Sequence, residues 1–158
     1  MPFQQREKKA KDEWLTPPEI IKACGEFDLD PCAPTNRPWD TAKKHLHIDD
    51  DGLKMDWDGR VWLNPPYGKD IVQWMERLAR HNNGVALIFV RSETDWFYNY
   101  VLEKAISIFL IKGRLKFYNV DGTEGKYCAP APSCLVAYGE LNDKYLKELH
   151  IKGKYIKL

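Results

Sequence analysis

The run Asn64-Pro65-Pro66-Tyr67-Gly68 assembles the groups needed for one specific chemical problem. An exocyclic amine such as the N6 group of adenine is a poor nucleophile, because its lone pair is delocalised into the ring. A carboxamide oxygen and a backbone carbonyl that accept both amine hydrogens draw that lone pair out of conjugation. Asn64 supplies the first acceptor. The carbonyl of Pro65 supplies the second, held in a stiff turn that Pro66 extends. Tyr67 offers a flat face for a stacked base, worth roughly 1–3 kcal/mol. Asn-Pro-Pro also suits an ordinary turn after a strand, so the neighbouring elements must decide.

Those elements are legible as an alternation of strands and helices. Thr16-Pro17-Pro18-Glu19 reads as a capping box with Thr16 at the N-cap, opening a helix that Gly25 stops. Phe27–Asp30 reads as a short strand ended by Pro31, and His45–Ile48 as a weaker strand ending in Asp49, Asp50 and Asp51. Arg60–Leu63 is a buried strand that delivers the Asn64 turn. Ile71, Trp74, Met75 and Leu78 then recur at helical spacing, and Asn82-Asn83-Gly84 closes that helix. Val85–Val90 is an apolar run suited to a strand covered on both faces. Ser92 and Asp95 cap another helix with Trp96, Phe97, Tyr100 and Val101 inward, and Ile106–Ile111 is a further strand. Arg114–Tyr118 and Cys134–Tyr138 look like two arms of a long hairpin. A helix over Asp143–His150, capped by Asn142, and a short terminal strand complete the chain. The pattern predicts an α/β fold with a mostly parallel sheet and one antiparallel edge strand. Such sheets bind ligands at the carboxyl ends of their strands, where Asp30, Asp49 and Asn64 all fall.

With 158 residues, 44% hydrophobic and 30% charged, the chain is expected to form one domain over 14–158 behind a polar arm at 1–13. The net charge of +1 means that any nucleic-acid contact must come from local patches. No apolar run reaches membrane-spanning length. Cys24, Cys32, Cys128 and Cys134 match no common zinc spacing and suggest reduced thiols. Three successive acids at 49–51 cannot all face one ion, so no metal is expected. His45, His47, His81 and His150 are read as surface groups, and Trp62 and Trp74 as core.

The chain resembles the phage-type DNA N6-adenine methyltransferases of the Dam-like group, within the Rossmann-like S-adenosylmethionine-dependent enzymes. The resemblance runs from Trp14 to Gly139. It is carried by Trp14-Leu15-Thr16-Pro17-Pro18, Asp28-Leu29-Asp30-Pro31-Cys32-Ala33, Asp51-Gly52-Leu53, Asn64–Gly68, Gly113–Phe117 and Ala129–Ser133. It implies a fold with S-adenosyl-L-methionine as cofactor, the methionine end lying against Thr16 and Pro17. Asp30, Pro31 and Ala33 would line the methionine and ribose region. The ribose hydroxyls would bind an acid after the second strand, Asp49 first and Asp51 second, and Asp56 would reach the cofactor adenine. The Asp30–Pro34 loop contains no glycine, which excludes a dinucleotide-binding reading.

The expected reaction is direct methyl transfer to adenine N6 in DNA, with the base extruded from the duplex. Arg91, Lys112, Arg114, Lys116 and Lys126 are expected on the DNA backbone, and the 119–133 loop in target readout. A merely solvated basic face is the plain alternative. The resemblance also implies a phage or prophage source, a cytoplasmic site of action and a place in restriction–modification. Methylation of a protein glutamine, of cytosine N4, or an inactive nucleic-acid-binding module are the competing readings.

Overall fold

The computed structural model describes residues 14–158, so the arm expected over 1–13 lies outside the described residues. Among the described residues seven strands form one sheet: β1 (Leu29–Asp30), β2 (Lys44–His45), β3 (Val61–Leu63), β4 (Gly84–Phe89), β5 (Ser107–Ile111), β6 (Ser133–Tyr138) and β7 (Gly153–Lys157). Their order is β2-β1-β3-β4-β6-β5-β7. The β2-β1-β3-β4 half is parallel, in register Leu29↔Lys44, Leu29↔Val61 and Val61↔Gly84. Beyond β4 every neighbour is antiparallel. This mixed α/β sheet is consistent with a methyltransferase-like fold.

Two expectations about the sheet need correction. The antiparallel strand is not confined to an edge: β6 lies inside the sheet between β4 and β5, and β7 forms the antiparallel edge. All six residues of β6 are buried, and such a strand needs covered faces and a neighbour on each side. The segment 114–118 is not its hairpin partner. With Arg114 and Lys116 alternating along it, that segment stays outside the sheet and makes only isolated bridges, Leu15 with Tyr118 and Tyr118 with Glu124.

Four helical elements cover the sheet: α1 (Pro18–Ala23), α2 (Ile71–His81), α3 (Asp95–Phe97, continued as a π-helical segment Tyr98–Leu102) and α4 (Glu140–Lys147). Period-two alternation along the strands sorts the core into two layers. Val61, Leu63, Ala86 and Ile88 meet α2 and α3 through Trp74, Met75, Leu78, Phe97 and Val101. Trp62, Val85 and Leu87 face the other way, toward Ile20 and Ile21 of α1 and Leu146 of α4. The helix over 71–81 ends as its sequence predicts, with Asn82 in the left-handed conformation at φ 54.

Three caps differ from expectation, and at Thr16 and Asn142 the polar side chain has a tertiary partner instead. Thr16 caps nothing: α1 begins after Pro17, without a side-chain cap. Asn142 is the third residue of α4, wholly buried, where it accepts from Arg60 Nε at 2.6 Å. Thr94, rather than Ser92, caps α3. Among the described residues no helix is long and apolar enough to cross a membrane.

Candidate active site

β3 is completely buried and hands Asn64 to the surface at its carboxyl end. Asn64 is half-buried, Pro65 buried, and Pro66 and Tyr67 exposed. Two long-range contacts fix this turn. Asn64 Nδ2 donates to Thr16 Oγ1 at 3.1 Å, across 48 residues of sequence. The Cys32 thiol reaches the Asn64 carbonyl at 3.2 Å. The segments carrying Thr16-Pro17, Asp30–Ala33 and Asn64–Tyr67 therefore meet at one end of the sheet. Gly52 joins them: a Cβ there would lie 2.1 Å from the Pro31 carbonyl, so no larger residue permits the approach.

The orientation of the Asn64 amide has a chemical consequence. With its nitrogen committed to Thr16, the carboxamide oxygen points away as an acceptor. Neither that oxygen nor the Pro65 carbonyl has a donor among the described residues. Tyr67 is held as firmly. Its hydroxyl accepts the Phe89 backbone N–H at 2.8 Å. Its ring stacks on Phe89, centroids 4.2 Å apart and planes 8° apart. Burial of the hydroxyl pushes its pKa up, while 44% of the residue stays exposed, so one ring face is supported and the other is open.

The acids separate into two kinds. Asp30 is 3% exposed, with Oδ2 accepting from Thr41 Oγ1 at 2.5 Å and Oδ1 from the Cys32 N–H at 3.2 Å. Burial pushes it up to about 6, against the pull of those two bonds and of Arg37. Asp49, Asp50 and Asp51 are exposed on a 3₁₀ turn and the residue after it. Asp50 accepts the His47 N–H at 2.8 Å, and Asp51 pairs with Lys54 at 3.0 Å. Asp49 has no side-chain partner among the described residues. Asp56 is exposed. Pro31 and Ala33 are buried, and Ala33 N donates to the Leu46 carbonyl at 2.9 Å.

The five basic candidates all follow the carboxyl ends of β4 or β5, strands that run in the same sense as β3. Lys112 and Arg114 are exposed. Arg91 pairs with Glu93 at 2.7 Å, Lys116 approaches Glu124 at 3.9 Å, and the Lys126 ammonium lies 5.4 Å from the Tyr127 ring centroid. Trp14 is 40% exposed, and Trp39 packs edge-on against Tyr118. A cleft of about 430 Å³ lies between residues 35–40 and Val120, and one of about 300 Å³ between Asp51–Lys54 and α2. Neither is lined by Asn64 or Tyr67.

Three contributors escape sequence reasoning. Thr41 and Phe89 act through tertiary contacts with Asp30 and Tyr67 that no local motif signals. His45 is the third, a correction to the surface reading: its side chain is 6% exposed. Its Nε2 accepts from the amides of Thr41 and Ala42 at 3.1 and 3.3 Å, pinning the loop that carries Thr41. Burial and Arg37 lower its pKa, which keeps that nitrogen an acceptor. Among the described residues no cluster of three His, Cys, Asp or Glu side chains could hold a metal ion. No match was found among curated proteins or among solved structures. A family model described as DNA N-6-adenine-methyltransferase (Dam) matches residues 4–152, and the chain belongs to that family.

Proposed function

We propose that the protein transfers a methyl group from S-adenosyl-L-methionine to the N6 amine of adenine in DNA. The observation that carries this reading is the Asn64 amide, turned by Thr16 so that its oxygen and the Pro65 carbonyl remain as two acceptors. An aromatic amine has two N–H donors, and two fixed acceptors hold it with its lone pair freed from the ring. Tyr67, braced on Phe89 and by its hydroxyl, presents its open face to the base. Alignment of this kind supplies roughly 7–11 kcal/mol of a barrier in favourable cases.

The cofactor's donor pattern fits the acids of the 3₁₀ turn that follows β2. A ribose diol needs carboxylate oxygens in solvent reach, and Asp49 offers them unpaired, with Asp51 beside it. Asp30, its oxygens already engaged, shapes the loop of Pro31 and Ala33 rather than binding through its carboxylate. When bound, S-adenosylmethionine supplies an electrophilic methyl on a positively charged sulfur. The cations after β4 and β5, strands that lie on one side of β3, are suited to neutralise DNA phosphates on that flank of the site. Action on DNA in the cytoplasm, a phage or prophage origin and a part in restriction–modification rest on the family resemblance alone and belong to this proposal.

Incubation with unmethylated DNA and methyl-labelled S-adenosylmethionine is the test. The label is expected in N6-methyladenine. Label in N4-methylcytosine or in a protein glutamine, or DNA binding without transfer, would overturn the assignment.

A further inference from the structure

The segment that orients the Asn64 amide is itself held from a distance. The buried Leu15 exchanges two backbone hydrogen bonds with Tyr118, its N–H donating at 2.8 Å and its carbonyl accepting at 2.9 Å. This antiparallel bridge stands alone, outside the sheet. One residue on, the Thr16 hydroxyl takes the Asn64 Nδ2 proton at 3.1 Å. The placement of Tyr118 is therefore passed, through two backbone bonds and one residue, to the group that decides which end of the carboxamide is free.

Tyr118 lies in the connection between β5 and β6, which is bonded to itself around it. Asn119 N–H donates to the Thr123 carbonyl at 2.8 Å, Gly125 N–H to Phe117 at 2.8 Å and Ala129 N–H to Leu115 at 2.7 Å. The same unit carries Arg114 and Lys116, two of the cations suited to DNA phosphates. Its ring contact with the rest of the molecule is Tyr118 against Trp39, centroids 5.4 Å apart and planes at 85°. Edge-to-face packing of this kind is a preferred aromatic geometry. Trp39 belongs to the connection between β1 and β2, and β3 and β4 stand between the two connections in the sheet. Tyr118 thus joins three segments distant in sequence: the stretch before α1, the loop after β1 and the connection that bears the cations.

We infer that Tyr118 is a positioning residue for methyl transfer. Docked on Trp39 and bridged to Leu15, it holds Thr16 against Asn64, so the orientation of the amide depends on the placement of the β5–β6 connection. This rests on the methyltransferase reading above and adds a residue that touches neither base nor cofactor. The test measures kcat for adenine methylation, at saturating DNA and S-adenosylmethionine, in Tyr118→Ala, Thr16→Val and the double variant. Tyr118→Ala should lower kcat about three- to tenfold, because it can cost no more than the one hydrogen bond it protects. In the Thr16→Val background the same substitution should change kcat by less than about twofold, its route to Asn64 being already cut. Tyr118→Phe keeps the ring and should stay within about twofold of wild type. Trp39→Leu removes the other ring and should give the same cycle, which covers a Tyr118→Ala chain that does not fold. Losses that multiply in the double variants, an unchanged kcat on removing either ring, or no rescue by phenylalanine would overturn the inference while leaving the methyltransferase reading intact. Wild-type protein that methylates no adenine would overturn both.

Discussion

Thr16 shows how one hydroxyl can decide the chemistry of a neighbour. It is 3% exposed and accepts the Asn64 Nδ2 proton, which fixes which end of the carboxamide faces the site. Thr16→Val keeps the volume and removes the acceptor, so the amide loses its preferred orientation. We expect kcat to fall roughly tenfold, the scale of one lost hydrogen bond, with the melting temperature little changed. Unchanged kcat in a folded variant would show that the amide is positioned by something else. The Asn64 motif stands out in the sequence because the chemistry proposed for it is local, four residues in a row. The Thr16 partnership was not readable as such. A threonine before two prolines has the signature of a helix cap, and only tertiary folding redirected it.

At the scale of elements, β1 ends in a buried acid, Asp30. The folded-state pKa of Asp30 is about 6, above its ordinary value, so the folded protein holds this proton more tightly than the unfolded chain. Its contribution to stability is therefore greatest below about pH 4, falls as pH rises to about 6 and is level above. The size of the fall is roughly 2–3 kcal/mol. Asp30→Asn should flatten this dependence, read as urea midpoints at pH 4.5 and 7.5. A variant with the wild-type pH slope would place the titration elsewhere. Strong apolar periodicity made α2 and β4 legible nearly to the residue. Segments with mixed patterns were misjudged. Arg114–Tyr118 has strand-like alternation, yet it stays outside the sheet, its backbone meeting Leu15, Glu124, Gly125 and Ala129 instead. The seven-stranded order with β6 inside it depends on long-range pairing that no local pattern encodes.

Across the whole molecule, Arg60 ties the last helix to the first strands. Its guanidinium lies 4.1 Å from the ring centroids of both Phe27 and Tyr145. It donates to Asn142 at 2.6 Å and to the Glu26 carbonyl at 3.0 Å. Asn142 in turn donates to the Tyr138 carbonyl at 2.7 Å and to Asn83 at 3.0 Å. Arg60→Ala strands these acceptors and opens a void between two rings, with an expected loss on the order of 3 kcal/mol in urea unfolding. Arg60→Lys should recover little, because an ammonium cannot stack between two rings and donate in a fork. Full recovery by lysine would mean that charge alone matters.

The central claim is that Asn64 acts on the amine of the base and not on the cofactor. Its direct test measures methyl transfer to DNA and S-adenosylmethionine affinity in Asn64→Ala. Transfer should fall by about 10²–10³ or more, as for loss of a pre-organised hydrogen-bonding group at a reacting centre, while cofactor affinity stays close to wild type. A parallel loss of cofactor affinity, or transfer that survives, would contradict the account.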